Sequence, residues 1–459
     1  MFWILNDSLR VSSNRNEAVV WSASSVIWIV IASGLALYVA WNLGANDVAN
    51  SMGTSVGSGA VSLRQALAIA AVLEFSGAML FGRRVVGTLT SGVVSPDQFT
   101  DMPQVLRLGM VSVLIACGLW LNLATRLGLP VASSHAVVGA IAGFGWAASG
   151  LHSVNWPLLG QISFTWGITP LVSGAIAAVF FTILRRGVLQ APQPLQRAYE
   201  WLPWLSFLLV CGFELIVLPV LQPAISAPIP APIPAPIPAP IPAWIDLPPH
   251  TLALVTGAIA TLGISAIAAR PAALPKSPNS AGEDAGAATK PANPVEQIMA
   301  RFQLLSACFV AFAHGSNDVG NAIAPLATIV NLTQPAGDGA VLPLWILGLG
   351  ALGIVGGLAV WGGRVIATIG EGILALQPSS GLCAELATAA TVLVASRIGL
   401  PVSTSHALVG AVVGIGLSQR SGQIHWGMVR QIGLAWAGTI PLCGALAAAI
   451  FWGLRWGAG

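Results

Sequence analysis

Long apolar runs, each interrupted by a few Gly, Pro or charged positions, follow one another along almost the whole chain. They lie at about 26–45, 65–82, 105–124, 129–149 and 158–184, then near 203–222 and 250–269. A further set occupies about 302–329, 341–361, 380–396, 400–418 and 430–454. Runs of on the order of 20 apolar residues match the thickness of a bilayer. The pattern therefore predicts an all-α integral membrane protein with about twelve transmembrane segments. The segments beginning at Pro130 and Pro401 are short and rich in Gly, Ser and Ala, which predicts broken or re-entrant helices.

Two connections break the pattern. The tract APIPAPIPAPIPAPIPAW (227–244) places Pro at every second position, which excludes a helix and favours a stiff, extended polyproline II spacer without chemistry of its own. The stretch 270–297 is polar and poor in aromatics, and is expected to lack fixed structure.

The chain also repeats itself. Gly44-Ala-Asn-Asp-Val-Ala-Asn50 returns as Gly315-Ser-Asn-Asp-Val-Gly-Asn321, and Leu127-Gly-Leu-Pro-Val-Ala-Ser-Ser-His-Ala136 returns as Ile398-Gly-Leu-Pro-Val-Ser-Thr-Ser-His-Ala407. From 44 to 315 and from 130 to 401 the offset is the same, 271 positions, and Pro170 and Pro441 keep it. The expected organisation is a tail (1–25), a first repeat (26–184), a connecting region (185–301) with two transmembrane helices, the Pro-rich linker and the polar loop, and a second repeat (302–459).

Five segments per repeat and two between them put an odd number of crossings between equivalent points, so the repeats are expected to be inverted, as in many secondary transporters. With the N-terminus outside, 12 of the 19 basic residues fall inside, as the positive-inside rule requires. Arg83 and Arg84 run against it. This topology puts the Pro tract outside and the 270–297 loop in the cytoplasm. The first 25 residues lack the pattern of a cleavable signal peptide, and the first span is expected to serve as its own insertion signal.

Composition narrows the class. With 55% hydrophobic and 8% charged residues the chain cannot cover a water-facing surface, since soluble domains carry roughly 25% charge. The net charge of +3 reads as loop orientation, not as a nucleic-acid partner. All five cysteines lie in apolar runs without metal-ligand spacing and read as small core residues.

Asp47, Glu74, Glu214, Asp318 and Glu385 lie inside apolar spans, whereas the basic residues lie at edges or in loops. An ionised carboxylate at bilayer depth costs at least ~2.5–3.5 kcal/mol and persists where it faces a cavity, a partner or a cation. Asn50 and Asn321 follow Asp47 and Asp318 at i+3, the spacing that puts two side chains on one helix face. Each motif therefore offers hard oxygen ligands for a small cation. Gly44, Gly53, Gly57 and Gly59 around the first copy favour a helix broken near mid-membrane. The Pro-Val-x-Ser/Thr-Ser-His segments (130–135 and 401–406) place hydroxyls at a helix start, where free N–H groups and the dipole bind anions. His135 and His406 read equally as ligands or as interface packing. Ser134 and His135 are neighbours that point to different faces, so no nucleophile–base pair forms and an enzyme is not expected. A passive anion channel would need rings of Arg or Lys, and the buried charges are acidic.

At these residues the chain resembles the inorganic phosphate transporter family of secondary carriers. The resemblance rests on GANDVANSMGTSVGSGAVS (44–62), HGSNDVGNAIAPLA (314–327), both Pro-Val-x-Ser/Thr-Ser-His segments and CAELATAATVLVASRIGLPVSTSHALVG (383–410). It covers nearly the whole chain outside 185–300. It implies a cell-membrane phosphate symporter driven by Na⁺ or H⁺, often a homodimer, with no cofactor beyond the co-transported ion. By position, Asp47, Asn50, Asp318 and Asn321 would shape cation sites. Ser133, Ser134, Thr404 and Ser405 would contact phosphate, with Asn46, Thr54 and Asn317. Glu74 and Glu385 match acids the family needs for transport. Ser316, Gly320 and Ala324 depart from its usual Ala, Ala and Gly. Sulfate and metal–phosphate complexes are alternative substrates, and Na⁺ is favoured over H⁺ because no proton relay is evident.

Overall fold

The computed structural model describes residues 23–127, 131–226, 248–268, 293–333, 342–369, 373–419 and 424–458. The Pro tract and most of the N-terminal tail and of the 270–297 loop lie outside these residues. Twelve α-helices run in chain order among the described residues. They are α1 (Ala23–Gly57), α2 (Leu63–Ser91), α3 (Pro103–Arg126), α4 (Ser133–Ser149), α5 (Trp156–Leu184), α6 (Pro194–Ser226) and α7 (Pro249–Ala268), then α8 (Pro294–Asn331), α9 (Leu344–Ile369), α10 (Pro378–Arg397), α11 (Thr404–Gln419) and α12 (Trp426–Ala458). Among the described residues, nine are long and apolar enough to cross a membrane. Helices α1–α5 return in order as α8–α12.

Local chemistry sets several boundaries. Ser62 caps α2 in a reciprocal box with Gln65. Asn155 caps α5, and Asn293 with Pro294 starts α8, so the end of the polar loop is already helical. Gly399, at φ +77°, closes α10. Leu400 N–H donates to Ala395 O and Gly399 N–H to Ser396 O, the paired bonds of a Schellman end.

The short helices are the returning arms of two hairpins. At 17 and 16 residues, α4 and α11 reach only about 25 Å, less than the bilayer core. Asn155 N–H donates to Val93 O, so the open ends of the α3–α4 hairpin lie together. His425 N–H donates to Ile373 O and does the same for α10–α11. The first turns of α4 and α11 meet, with the rings of His135 and His406 4.7 Å apart at a steep angle.

The predicted break in α1 does not occur. The helix runs unbroken through the Asn-Asp motif, because Gly44 serves close packing instead. A Cβ there would stand 2.8 Å from Ile354 Cα on α9. Gly315 presses on α2 in the same way, and a Cβ there would lie 2.6 Å from Glu74 Cα. Gly139 of α4 meets the backbone of Ile440 on α12, and Gly410 of α11 meets that of Pro170 on α5. Each of these four close pairs, α1/α9, α2/α8, α4/α12 and α5/α11, joins one helix from each repeat. The first two also set the register of α9. Gly44 and Gly315 are 271 positions apart, whereas their partners Glu74 and Ile354 are 280 apart. Helix α9 therefore follows α2 with nine residues to spare, and the surplus lies in the α8–α9 connection.

Candidate functional site

Helices α1 and α8 carry the two Asn-Asp motifs through the protein interior, where Asn46, Asp47, Asn50, Asn317, Asp318 and Asn321 are all buried. Asn50 Nδ2 donates to Asp47 Oδ1 at 3.2 Å and Asn321 Nδ2 to Asp318 Oδ1 at 3.0 Å. The two copies therefore build the same carboxylate–amide pair from the same i, i+3 spacing. Both pairs sit on continuous helices, so side chains and not freed backbone groups line the cluster.

Around Asp318 the second repeat converges. Thr404 Oγ1 at the head of α11 donates to Asp318 Oδ2 at 2.6 Å, and Asn317 Nδ2 reaches both Asp318 Oδ1 (2.8 Å) and Val402 O (2.7 Å). From the other hairpin, Ser133 Oγ accepts from Asn321 Nδ2 at 3.3 Å. Asn46 Nδ2 donates to Thr125 Oγ1 of α3 at 3.1 Å. Ser405 Oγ and Ser403 Oγ are 2.8 Å apart. The hydroxyl-bearing first turns of both hairpins thus stand beside the Asn-Asp pairs, and the first turn of a helix leaves N–H donors without intrahelical partners.

One participant escapes the motif pattern. His314 is fully buried, with Nε2 2.8 Å from Asp318 Oδ2 and Nδ1 3.2 Å from Glu74 Oε2. The spacing to Asp318, i to i+4 on a helix, is a usable signal. Leu43 stands at the equivalent place in the first repeat, so the pairing exists once. Ligand atoms of Asp47, His314 and Asp318 all lie within 4.8 Å of one another. Asp47 Oδ2, Asn317 Oδ1, Asn321 Oδ1 and Ser134 Oγ are buried without a hydrogen-bond partner among the described residues. Unpaired oxygens beside the Asp47 and Asp318 carboxylates suit a small hard cation, which takes oxygen ligands.

The two glutamates separate. Glu74 belongs to this cluster through His314 and accepts from Ser51 Oγ at 2.9 Å. Glu385 forms a second buried node with four donors, Thr54 (2.6 Å), Ser55 (2.6 Å), Gln303 (3.0 Å) and Ser306 (2.6 Å). Thr54 is therefore held by Glu385. Nothing in the spacing points to Gln303 or Ser306, since their relation to Glu385 is tertiary. Ser55 has the Gly-x-Ser-x-Gly spacing (53–57) of a hydrolase elbow, yet it sits in a continuous helix. Glu214, between the repeats, accepts from Thr256 Oγ1 and takes no part in either group.

His135 and His406 are interface residues. Each ring packs on a tryptophan, Trp166 and Trp436 respectively, with centroids 3.9 and 3.7 Å apart. Each Nδ1 lies 3.0 Å from a carbonyl of the other tryptophan, Trp436 O for His135 and Trp166 O for His406.

A family model described as "Phosphate transporter family" matches residues 43–447. A putative phosphate permease of Haemophilus influenzae is 37% identical over 444 residues, covering 96% of this chain and 99% of that one. An Arabidopsis thaliana protein named inorganic phosphate transporter 2-1, chloroplastic, is 39% identical over 430 residues, covering 90% of this chain and 70% of the relative. Among solved structures, one described as "The sodium-dependent phosphate transporter" aligns with a TM-score of 0.79 and 31% identity, covering 94% of this chain and 99% of that one.

Proposed function

This chain belongs to the phosphate transporter family, and from that premise we propose that it imports inorganic phosphate by symport with a cation, Na⁺ in preference to H⁺. The observation that carries the coupling is the pair of Asn-Asp clusters meeting the hydroxyl-rich first turns of α4 and α11. Asp47, Asn50, Asp318 and Asn321 bind the cation, and Ser133, Ser134, Thr404 and Ser405 take the phosphate oxygens. Similarity to a solved sodium-dependent phosphate transporter favours Na⁺.

The membrane potential makes the same demand. A negative interior opposes the inward movement of an anion by ~2.3 kcal/mol per charge per 100 mV. A phosphate of charge near −2 enters without electrical work only with at least two cations, and two Asn-Asp motifs offer two places for them. Bound cation also relieves the repulsion between the Asp47 and Asp318 carboxylates and the anion, so cation and phosphate each raise the other's affinity. The membrane topology that fits places the N-terminus outside and the 270–297 loop in the cytoplasm.

Uptake of radiolabelled phosphate into proteoliposomes, with Na⁺ and pH gradients imposed separately and sulfate as competitor, tests the reading. Uptake driven by the Na⁺ gradient and resistant to sulfate is expected. Indifference to both gradients would refute symport. Preference for sulfate would refute the substrate.

A further inference from the structure

The tip of the α10–α11 hairpin, 398–403, has no regular structure, yet side chains of three other helices take carbonyls at and beside it. Arg84 of α2 donates to Arg397 O, and Thr88 of α2 donates to Gly399 O at 2.7 Å. Trp166 of α5 donates through Nε1 to Pro401 O at 3.0 Å, and Asn317 of α8 through Nδ2 to Val402 O at 2.7 Å. Asn317 belongs to the cation cluster and Trp166 to the histidine interface. Arg84 and Thr88 belong to neither, and the features of the site described so far leave them without a role.

Their chemistry fits the position. Arg397 O ends a helix, where carbonyls lack intrahelical partners and a cation suits the negative end of the dipole. The Gly399 turn lies directly on α2, for a Cβ there would stand 3.3 Å from Thr88 Oγ1. The repeat supplies a second argument. In the register that the Gly44–Ile354 and Gly315–Glu74 contacts set, 280 positions on, Arg84 and Thr88 correspond to Arg364 and Thr368. The same cationic donor and the same hydroxyl thus occur at both positions in both copies, one helical turn apart. Their neighbours Arg83 and Gly87 answer to Gly363 and Ala367 and are not kept. A role in holding the tip also accounts for a basic residue on α2 that runs against the charge bias of the proposed topology.

We propose that Arg84 and Thr88 are positioning residues of the anion site, holding the 398–403 tip so that Thr404 and Ser405 present their hydroxyls in register. They act through the backbone between Gly399 and Thr404, and neither touches phosphate. The proposal rests on the phosphate-transport reading, so its test has one arm that does not use transport.

Arg84→Gln, Thr88→Val, the double variant and Arg84→Lys are made in the full chain. Hydrogen exchange of 398–406 is followed in detergent, and phosphate uptake in proteoliposomes. The double variant is expected to exchange about tenfold faster at the tip and to raise KM for phosphate about tenfold, with the maximal rate within about twofold of the parent. Arg84→Lys, which keeps a cationic donor, is expected to hold KM within about threefold of the parent. Should the double variant fail to fold, Thr88→Val alone gives both readouts.

Unchanged exchange at the tip overturns the clamp. Faster exchange with an unchanged KM, or a fall in maximal rate at constant KM, overturns its role in the anion site. A parent protein that takes up no phosphate refutes the transport reading, while the exchange arm still decides the clamp.

Discussion

Replacing Gly315 by Ala adds one methyl group where α8 crosses α2. The new Cβ would lie 2.6 Å from both Glu74 Cα and the Glu74 carbonyl carbon, and closer still to the carbonyl oxygen. These are backbone atoms and cannot rotate away. Restoring ordinary contact at 3.4 Å from the carbonyl oxygen, which the Cβ would approach to 2.0 Å, requires the helices to part by about 1.4 Å. A separation of that size moves the His314–Glu74 contact from 3.2 Å to about 4.6 Å, beyond the roughly 4 Å reach of an ion pair. Overpacking costs about 1–3 kcal/mol, and breaking a buried charged pair costs about 3–5 kcal/mol. The higher helix propensity of Ala returns no more than about 1 kcal/mol. Net destabilisation of a few kcal/mol is expected, seen as a lower Tm in detergent and at least a hundredfold loss of phosphate uptake. Gly53→Ala on α1 is the matched control, because its Cβ would meet only the Ala49 side chain at 3.8 Å. It should keep parental Tm and uptake. A Gly315→Ala protein with parental Tm and uptake would refute the argument that this glycine is required by backbone contact.

Asp318→Asn keeps the shape of the cluster and removes one of its carboxylate charges, so Na⁺ stimulation of uptake should fall steeply while the protein still folds, as read by uptake against Na⁺ concentration. Thr404→Val should raise KM for phosphate, and Thr404→Ser, which restores the hydroxyl on Asp318, should recover most of it. Glu385→Ala removes the acceptor of Thr54, Ser55 and Gln303, while Ser306 keeps the Gln303 carbonyl, and should lower Tm by several degrees, whereas Glu385→Gln retains one acceptor oxygen and should lower it less. Glu214→Gln lies outside both groups and should leave the Na⁺ dependence of uptake unchanged.

Much of this architecture is legible because the chain states it twice. The offset linking Asp47 to Asp318 and Pro130 to Pro401 locates both Asn-Asp helices and both hairpin returns. The register of α9 departs from that offset, and the match of Arg364 and Thr368 to Arg84 and Thr88 stands out only once the contacts have set the register. The i, i+3 spacing of Asp47 and Asn50 announces a shared face, and the structure has the bond. Gly44 misleads because one glycine serves equally to loosen a helix and to admit a neighbour, and only the neighbour, Ile354, decides between them. His314 is easily passed over because it stands alone, with Leu43 in the other copy. Glu74 and Glu385 look alike in sequence, yet one answers to His314 and the other to Thr54, Ser55, Gln303 and Ser306. Their partners come from other helices, which no local pattern records.

The close pairs α1/α9, α2/α8, α4/α12 and α5/α11 have a consequence for descent. Each half of the chain has these backbone-to-backbone partners in the other half, so neither half expressed alone has anything to press those glycines against. A half-length ancestor would have met those partners only in a second copy lying upside down beside it. The lone histidine and the two unmatched glutamates are differences that a symmetric pair of identical halves cannot hold.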